Sequence, residues 1–154
     1  MLLDNLFSQF DDIVSEEKLW KMDTIGDAYL VVGGLVDQVD KRYMVGRFFS
    51  LARKMINIVK EFKTFTRHNE GIRIAIHAGP AASGVLGRLR PRFYVFGRTM
   101  YEAAILERTG EKNKIHVSEK AAHLYRQNHF GFQRGSSEES YFLEDDEWTG
   151  NQKL

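Results

Sequence analysis

An acidic residue, Asp27, sits in a glycine-containing turn between two short apolar runs of the segment LWKMDTIGDAYLVVGGL at residues 19 to 35. Gly26 lets the backbone bend sharply, and Tyr29, Leu30, Val31 and Val32 resume a β-rich run at once, so the spacing predicts a hairpin with a carboxylate at its tip. A carboxylate fixed on a stiff turn is a good ligand for a hard divalent cation. Asp also shapes turns without binding anything, and these residues alone leave both roles open for Asp27. His77 ends an alternating apolar run with no second His or Cys at ligand spacing, which assigns it a structural role.

The elements that would hold these residues follow from periodicity. Leu2, Leu3, Leu6, Phe7, Phe10 and Ile13 share one face of a helix that opens the chain without an N-cap residue, as if cut. A longer helical pattern uses Tyr43, Phe48, Leu51, Ala52, Met55, Ile56, Val59 and Phe62. Ile72, Ile74 and Ile76 alternate with polar or small residues as in a strand with one buried face, and a Gly-rich passage follows. Further on, 93–96 reads as a strand, 99–108 as a helix stopped by Gly110, 115–117 as a strand, and 118–127 as a helix capped by Ser118. Residues 130–133 and 141–143 suggest a closing hairpin. Trp20 and Trp148 are expected to pack. The alternation lacks strict βαβ regularity, so the expected fold class is α+β: one sheet with helices on its outer face.

Composition bounds the function classes. With 43% hydrophobic residues in 154, the chain can bury one core, giving one domain at 1–143 and an acidic, polar tail at 144–154. Twenty-two basic residues against 21 acidic ones provide no field for nucleic acid. The absence of Cys excludes a disulfide framework and a thiolate site and leans toward the cytosol. The apolar stretch 29–36 falls far short of the roughly 20 residues of a bilayer span, and the N-terminus is not that of a signal peptide.

The run KMDTIGDAYLVVGGL resembles the metal-bearing hairpin of class III nucleotidyl cyclases, the adenylyl and guanylyl cyclases, whose usual form is close to K-V-E-T-I-G-D-A-Y-M-V-V-S-G-L. IRIAIHAGPAASGVLG at 72 to 87, PRFYVFGRTMYEAAILERTG at 91 to 110 and KIHVS at 114 to 118 follow in the family's order and at about its spacing. Several segments in order are far more specific than any one of them. The resemblance implies a ferredoxin-like α+β sandwich working as a head-to-tail dimer with its sites between subunits. It also implies two Mg²⁺ or Mn²⁺ ions held by two carboxylates of one subunit, while the other reads the purine and supplies an Asn and an Arg.

Carried over residue by residue, the resemblance assigns a metal carboxylate to Asp27. The family's second one lies on an F-x-D-I-x-G-F-type strand before the first helix, and these residues begin after it, so the fold is expected to lack its first strand. Where the family has G-D-T-V-N-T-A-S-R-M-E-S-T-G, this chain runs from Gly97 to Gly110 with Tyr101 in the Asn position and Ile105 in the Arg position. No catalytic group of that half is retained. The family's Lys-rich phosphate loop is replaced by Ser136, Ser137, Glu138 and Glu139. For purine binding, Asp23 stands where guanylyl cyclases have Glu and can accept from N1 and N2 of guanine, or is simply an exposed strand residue. Tyr94 occupies the second selectivity position and favours neither base. Arg88, Arg90, Arg92 and Arg98 form either a solvated loop or a basic edge beside the shared cleft.

Two readings survive. The first is the metal-donating half of a dimeric cyclase, paired with a different second subunit rather than a copy of itself, with GTP rather than ATP as substrate and cyclic GMP and pyrophosphate as products. The second is a pseudo-cyclase kept as a dimerisation or regulatory module. In either case the expected setting is a cytoplasmic domain, part of a larger membrane-attached protein, and the chain alone is expected to be inactive. An unrelated metal- or nucleotide-binding α+β domain is the third and weakest reading.

Overall fold

Glycine at one position and a row of apolar residues on either side determine the first recognisable unit. Strands β1 (Trp20–Ile25) and β2 (Ala28–Val32) pair antiparallel with Ile25 opposite Ala28, leaving only Gly26 and Asp27 in the turn. Gly26 takes φ +64°, the first-position conformation that a two-residue hairpin turn of the II′ kind reserves for glycine. The computed structural model describes residues 2–35, 39–66, 71–125, 132–135 and 140–143.

Helix α1 (Leu2–Glu16) precedes this hairpin and helix α2 (Lys41–Thr66) follows it. Phe10 and Val14 of α1, Leu19, and Met44, Leu51, Met55 and Val59 of α2 form one buried cluster, against which Tyr29 and Val31 of β2 pack. The hairpin leaves this cluster at Gly33, where a Cβ would come within 2.6 Å of Met44 Sδ and 2.9 Å of Phe48. Any larger residue there requires the Met44 and Phe48 side chains to shift.

The second cluster covers the larger sheet. Strands β3 (Ile74–Ile76), β6 (Ile115–Ser118), β7 (Phe132–Arg134) and β8 (Ser140–Leu143) lie in the order β3-β6-β8-β7, with β3 and β6 parallel and the other pairs antiparallel. Val45, Phe49, Ala52 and Ile56 of α2 bury against Ile76, Ile115 and Val117, together with Ala121, Ala122 and Tyr125 of helix α4 (Glu119–Tyr125). Phe49 and Tyr125 stack with ring centroids 3.9 Å apart. The amide of Ala121 donates to Ser118 Oγ at 3.4 Å, so the expected cap is present.

The remaining strands, β4 (Ala82–Leu86) and β5 (Arg92–Phe96), make a separate antiparallel ribbon leading into helix α3 (Arg98–Arg108). Two expectations change here. The passage after Ile76 is not merely Gly-rich, for Ala82–Leu86 pairs along β5 with Gly84 opposite Tyr94. Among the described residues the expected single sheet is three: β1–β2, β4–β5 and the four-stranded sheet. The outer edges of β2 and β3 carry no ladder partner among the described residues, so hairpin and sheet are joined through side chains on α2, with Phe48, Ile72 and Ile74 packing against both clusters. Trp20 is more than half exposed rather than packed. The loop 136–139, Trp148 and the tail 144–154 lie outside the described residues.

Candidate active-site half

The β1–β2 turn presents Asp27 to solvent, with Asp23 exposed on the same hairpin. Asp23 Oδ1 accepts the amide of Thr24 at 2.8 Å, beside the irregularity in the ladder between Lys21 and Asp23. Asp27 therefore offers a hard-cation ligand and Asp23 retains an oxygen for a second donor. No group of three His, Cys, Asp or Glu side chains that could hold a metal ion occurs among the described residues. As a donor Asp27 fits a divalent cation, but the described residues supply one oxygen ligand and not a complete site.

The hairpin is anchored from below by a carboxylate that sequence reasoning passed over. Asp11 of α1 accepts Lys21 Nζ of β1 at 2.6 and 2.8 Å and the Tyr29 hydroxyl of β2 at 2.5 Å. Partial burial pushes the Asp11 carboxyl up, but the bonds from Lys21 and Tyr29 outweigh it and hold it below the usual range. Burial first, and then Asp11, push the Tyr29 phenol well above its usual range. Only the tertiary fold brings these three residues together.

On α3, Tyr101 and Ile105 lie one turn apart and are 68% and 41% exposed. The positions are open, and they present a phenol and a hydrocarbon where the resembled pattern has an amide and a guanidinium. Tyr94 is exposed on β5, in a different two-stranded sheet from Asp23. Arg88, Arg90 and Arg92 are exposed around the β4–β5 turn, and Leu89 between them is 98% exposed. Arg98 instead donates to Glu102 Oε1 at 2.7 Å.

Glu102 also approaches His77, whose side chain is 6% exposed; Nε2 lies 3.0 Å from Glu102 Oε2 but off the line of a hydrogen bond. Burial pushes the imidazole below its usual value, and the nearby Glu102 opposes that only in part. Pro80, Arg98, Thr99, Glu102 and Lys120 line a hollow of about 260 Å³ beside this pair.

The architecture is that of an α+β domain whose chemistry-bearing residues stand on hairpin tips and on one exposed helix face. Residues 1–144 match the family model of the adenylate and guanylate cyclase catalytic domain. The receptor-type guanylate cyclase Gyc76C of Drosophila melanogaster is 39% identical over 120 residues, covering 77% of this chain and 8% of that protein. The dimeric guanylyl cyclase domain of the RhoGC fusion protein of Blastocladiella emersonii superposes with a TM-score of 0.80 at 34% identity, covering 92% of this chain and 78% of that one. The guanylate cyclase domain of RhGC from Catenaria anguillulae, solved with GTP, gives a TM-score of 0.79 at 30% identity over 92% of this chain and 81% of that one. The chain belongs to the adenylate and guanylate cyclase catalytic domain family, the class III cyclases. Domains of this class use divalent metal ions. Among the described residues no helix is long and apolar enough to cross a membrane.

Proposed function

We propose that this chain is the metal-donating half of a dimeric cyclase that forms cyclic GMP, in preference to cyclic AMP, and pyrophosphate. The observation that carries the reading is the contrast between two positions: Asp27 stands free at a stiff hairpin tip, while Tyr101 and Ile105 occupy the open face of α3. The chain keeps one role and has given up the other. Bound Mg²⁺ or Mn²⁺ would activate the ribose 3′ hydroxyl and offset charge on the triphosphate. Asp27 would hold such an ion; the purine of that cleft is read by the other subunit, so Asp23, accepting from the N1 and N2 donors of guanine, and Tyr94 would serve the second cleft of the dimer. The second metal carboxylate, the Asn and the Arg come from outside these residues, the last two from a different cyclase subunit. A missing charge-stabilising donor costs about a hundredfold to a thousandfold in rate, so a pair of identical chains is a poor catalyst.

We place the cyclase domain at 1–143, with 144–154 a polar tail, on the cytoplasmic side of a larger membrane-attached protein, as the receptor-type relatives suggest. One observation favours a second reading, a catalytically silent dimerisation module: the face at Tyr101 and Ile105 is apolar and suits packing rather than phosphate.

The test compares cyclic GMP and cyclic AMP formation with Mn²⁺ by three samples. They are the chain alone, the chain extended upstream by an Asp-bearing strand and paired with a subunit that has the Asn and Arg, and that pair with Asp27→Ala. The reading expects product only from the second. Turnover by the chain alone overturns the half-site assignment, and a silent extended pair leaves the dimerisation module.

A further inference from the structure

Around the start of α3 lies a group of charges in which the Asp27 hairpin takes no part. Pro80, Arg98, Thr99, Glu102 and Lys120 line a hollow of about 260 Å³, room for a small oxyanion and a few waters. His77 reaches it from just beyond β3: its side chain is 6% exposed, and Nε2 stands 3.0 Å from Glu102 Oε2 with no hydrogen-bond partner. Gly79 keeps the space before that nitrogen open, since a Cβ there would lie 3.5 Å from Nε2 and 2.6 Å from Thr99 Oγ1. A buried ring nitrogen without a partner calls for one from the hollow.

The charges around it specify what that partner is. Arg98 Nε donates to Glu102 Oε1 at 2.7 Å, which leaves the other guanidinium N–H groups for a ligand, and Lys120 is exposed on the first turn of α4. Two cations thus face one carboxylate. Helix α3 also begins at Gly97 without a side-chain cap, so the positive end of its dipole adds to the surplus, and an anion is favoured. Glu102 Oε2 receives no hydrogen bond among the described residues, so the anion must bring a proton to meet it. Hydrogen phosphate carries one; sulfate, fully ionised at neutral pH, does not. We propose that this hollow binds hydrogen phosphate, with Arg98, Lys120 and the Nε2–H tautomer of His77 donating to its oxygens and Glu102 Oε2 accepting from its P–OH group. The bound ion joins α3 and α4 to the segment that follows β3. Neither Asp27 nor the Tyr101–Ile105 face enters the argument, so the site stands or falls independently of the cyclase reading.

The experiment titrates sodium phosphate, and separately sodium sulfate, into the ¹⁵N-labelled chain at neutral pH and constant ionic strength. It follows the amides of Thr99 and Met100 and the imidazole of His77. Phosphate is expected to give saturable shifts there, with sulfate at least about tenfold weaker because it meets Glu102 as a like charge. Lys120→Gln should weaken phosphate about tenfold, the scale of one charge-assisted hydrogen bond. Glu102→Gln should admit sulfate about as well as phosphate, since the amide that replaces the carboxylate can donate to either ion. An equal response to both ions in the unsubstituted chain overturns the proposal, as does no response at Thr99 and His77 or one confined to Arg88, Arg90 and Arg92. A Glu102→Gln chain that still rejects sulfate overturns it too. Should either variant fail to fold, the ratio of phosphate to sulfate affinity in the unsubstituted chain decides.

Discussion

His116 and Ser140 share a 2.9 Å hydrogen bond inside the four-stranded sheet, linking β6 to the start of β8 where neither side chain meets solvent. The other ring nitrogen, Nδ1, donates to the carbonyl of Leu106 on α3 at 2.7 Å, and the ring stacks on Phe142. One imidazole thus fixes two strands and a helix.

Replacing it by an apolar residue of similar size removes one hydrogen bond from each of two buried groups, while the Leu106 carbonyl keeps the Thr109 hydroxyl. His116→Leu is expected to destabilise the fold by about 1–3 kcal/mol, since each lost hydrogen bond costs roughly 0.5–1.5 kcal/mol. Urea unfolding of the two proteins measures it, and a loss below half a kilocalorie would mean that water or a backbone shift satisfies both partners.

Acid should weaken the molecule through His77. Burial lowers its pKa beneath the free value of 6.5, so as pH falls the unfolded chain takes up its proton before the folded one. Stability is accordingly full above that value and declines below it. Glu102 is held below its usual range, first by the hydrogen bond from Arg98, and stays anionic through this window; Lys120 faces the pair as well. Melting temperatures from pH 7.5 to 5.5 should fall for the native chain and fall less for His77→Gln. Parallel curves would remove His77 as the cause.

Restoring the lost polar groups should not restore turnover. Tyr101→Asn with Ile105→Arg, introduced into the chain alone, is expected to give no cyclic GMP or cyclic AMP with Mn²⁺, because the metal half still lacks a carboxylate. Both positions are exposed, so each change should alter stability by less than about 0.5 kcal/mol and silence cannot be blamed on unfolding. Detection of either product by mass spectrometry would contradict the assignment.

Association should run through the β4–β5 ribbon. Val85, Leu86, Leu89, Phe93, Tyr94 and Phe96 are all exposed there, a concentration that soluble monomers rarely leave uncovered. The isolated chain should sediment as a dimer or larger species at micromolar concentration, and Val85→Asp with Leu89→Asp should shift it toward monomer. A clean monomer for the unsubstituted chain would refute this.

Much of the layout was legible in residue order because it depends on near neighbours. The Asp27 hairpin is written in a glycine between two β-rich runs, and α2 in a long repeat of apolar residues from Tyr43 to Phe62. Strand β4 was not, since Ala82, Ser83 and Gly84 have little β preference and only pairing with β5 extends them. The division into three sheets escaped for a related reason: which edges meet is decided by distant segments. In the site, Tyr101 and Ile105 could be compared position by position through the family resemblance, whereas Asp11 could not be singled out. Its importance arises from Lys21 and Tyr29, which approach it only when helix and hairpin dock.

The separation of the sheets also bears on the order in which the chain assembles. Each ribbon joins sequence neighbours and can close on the microsecond scale, but β3 meets β6 in parallel, with Ile74 opposite Ile115, across roughly forty intervening residues. Closure of the central sheet beneath α2 is therefore expected to be the slower step. Asp27 and Leu89 sit on the tips of the two fast ribbons, outside that closure. Residues there can change, and with them the chemistry or the partner, while the search that makes the fold goes on undisturbed.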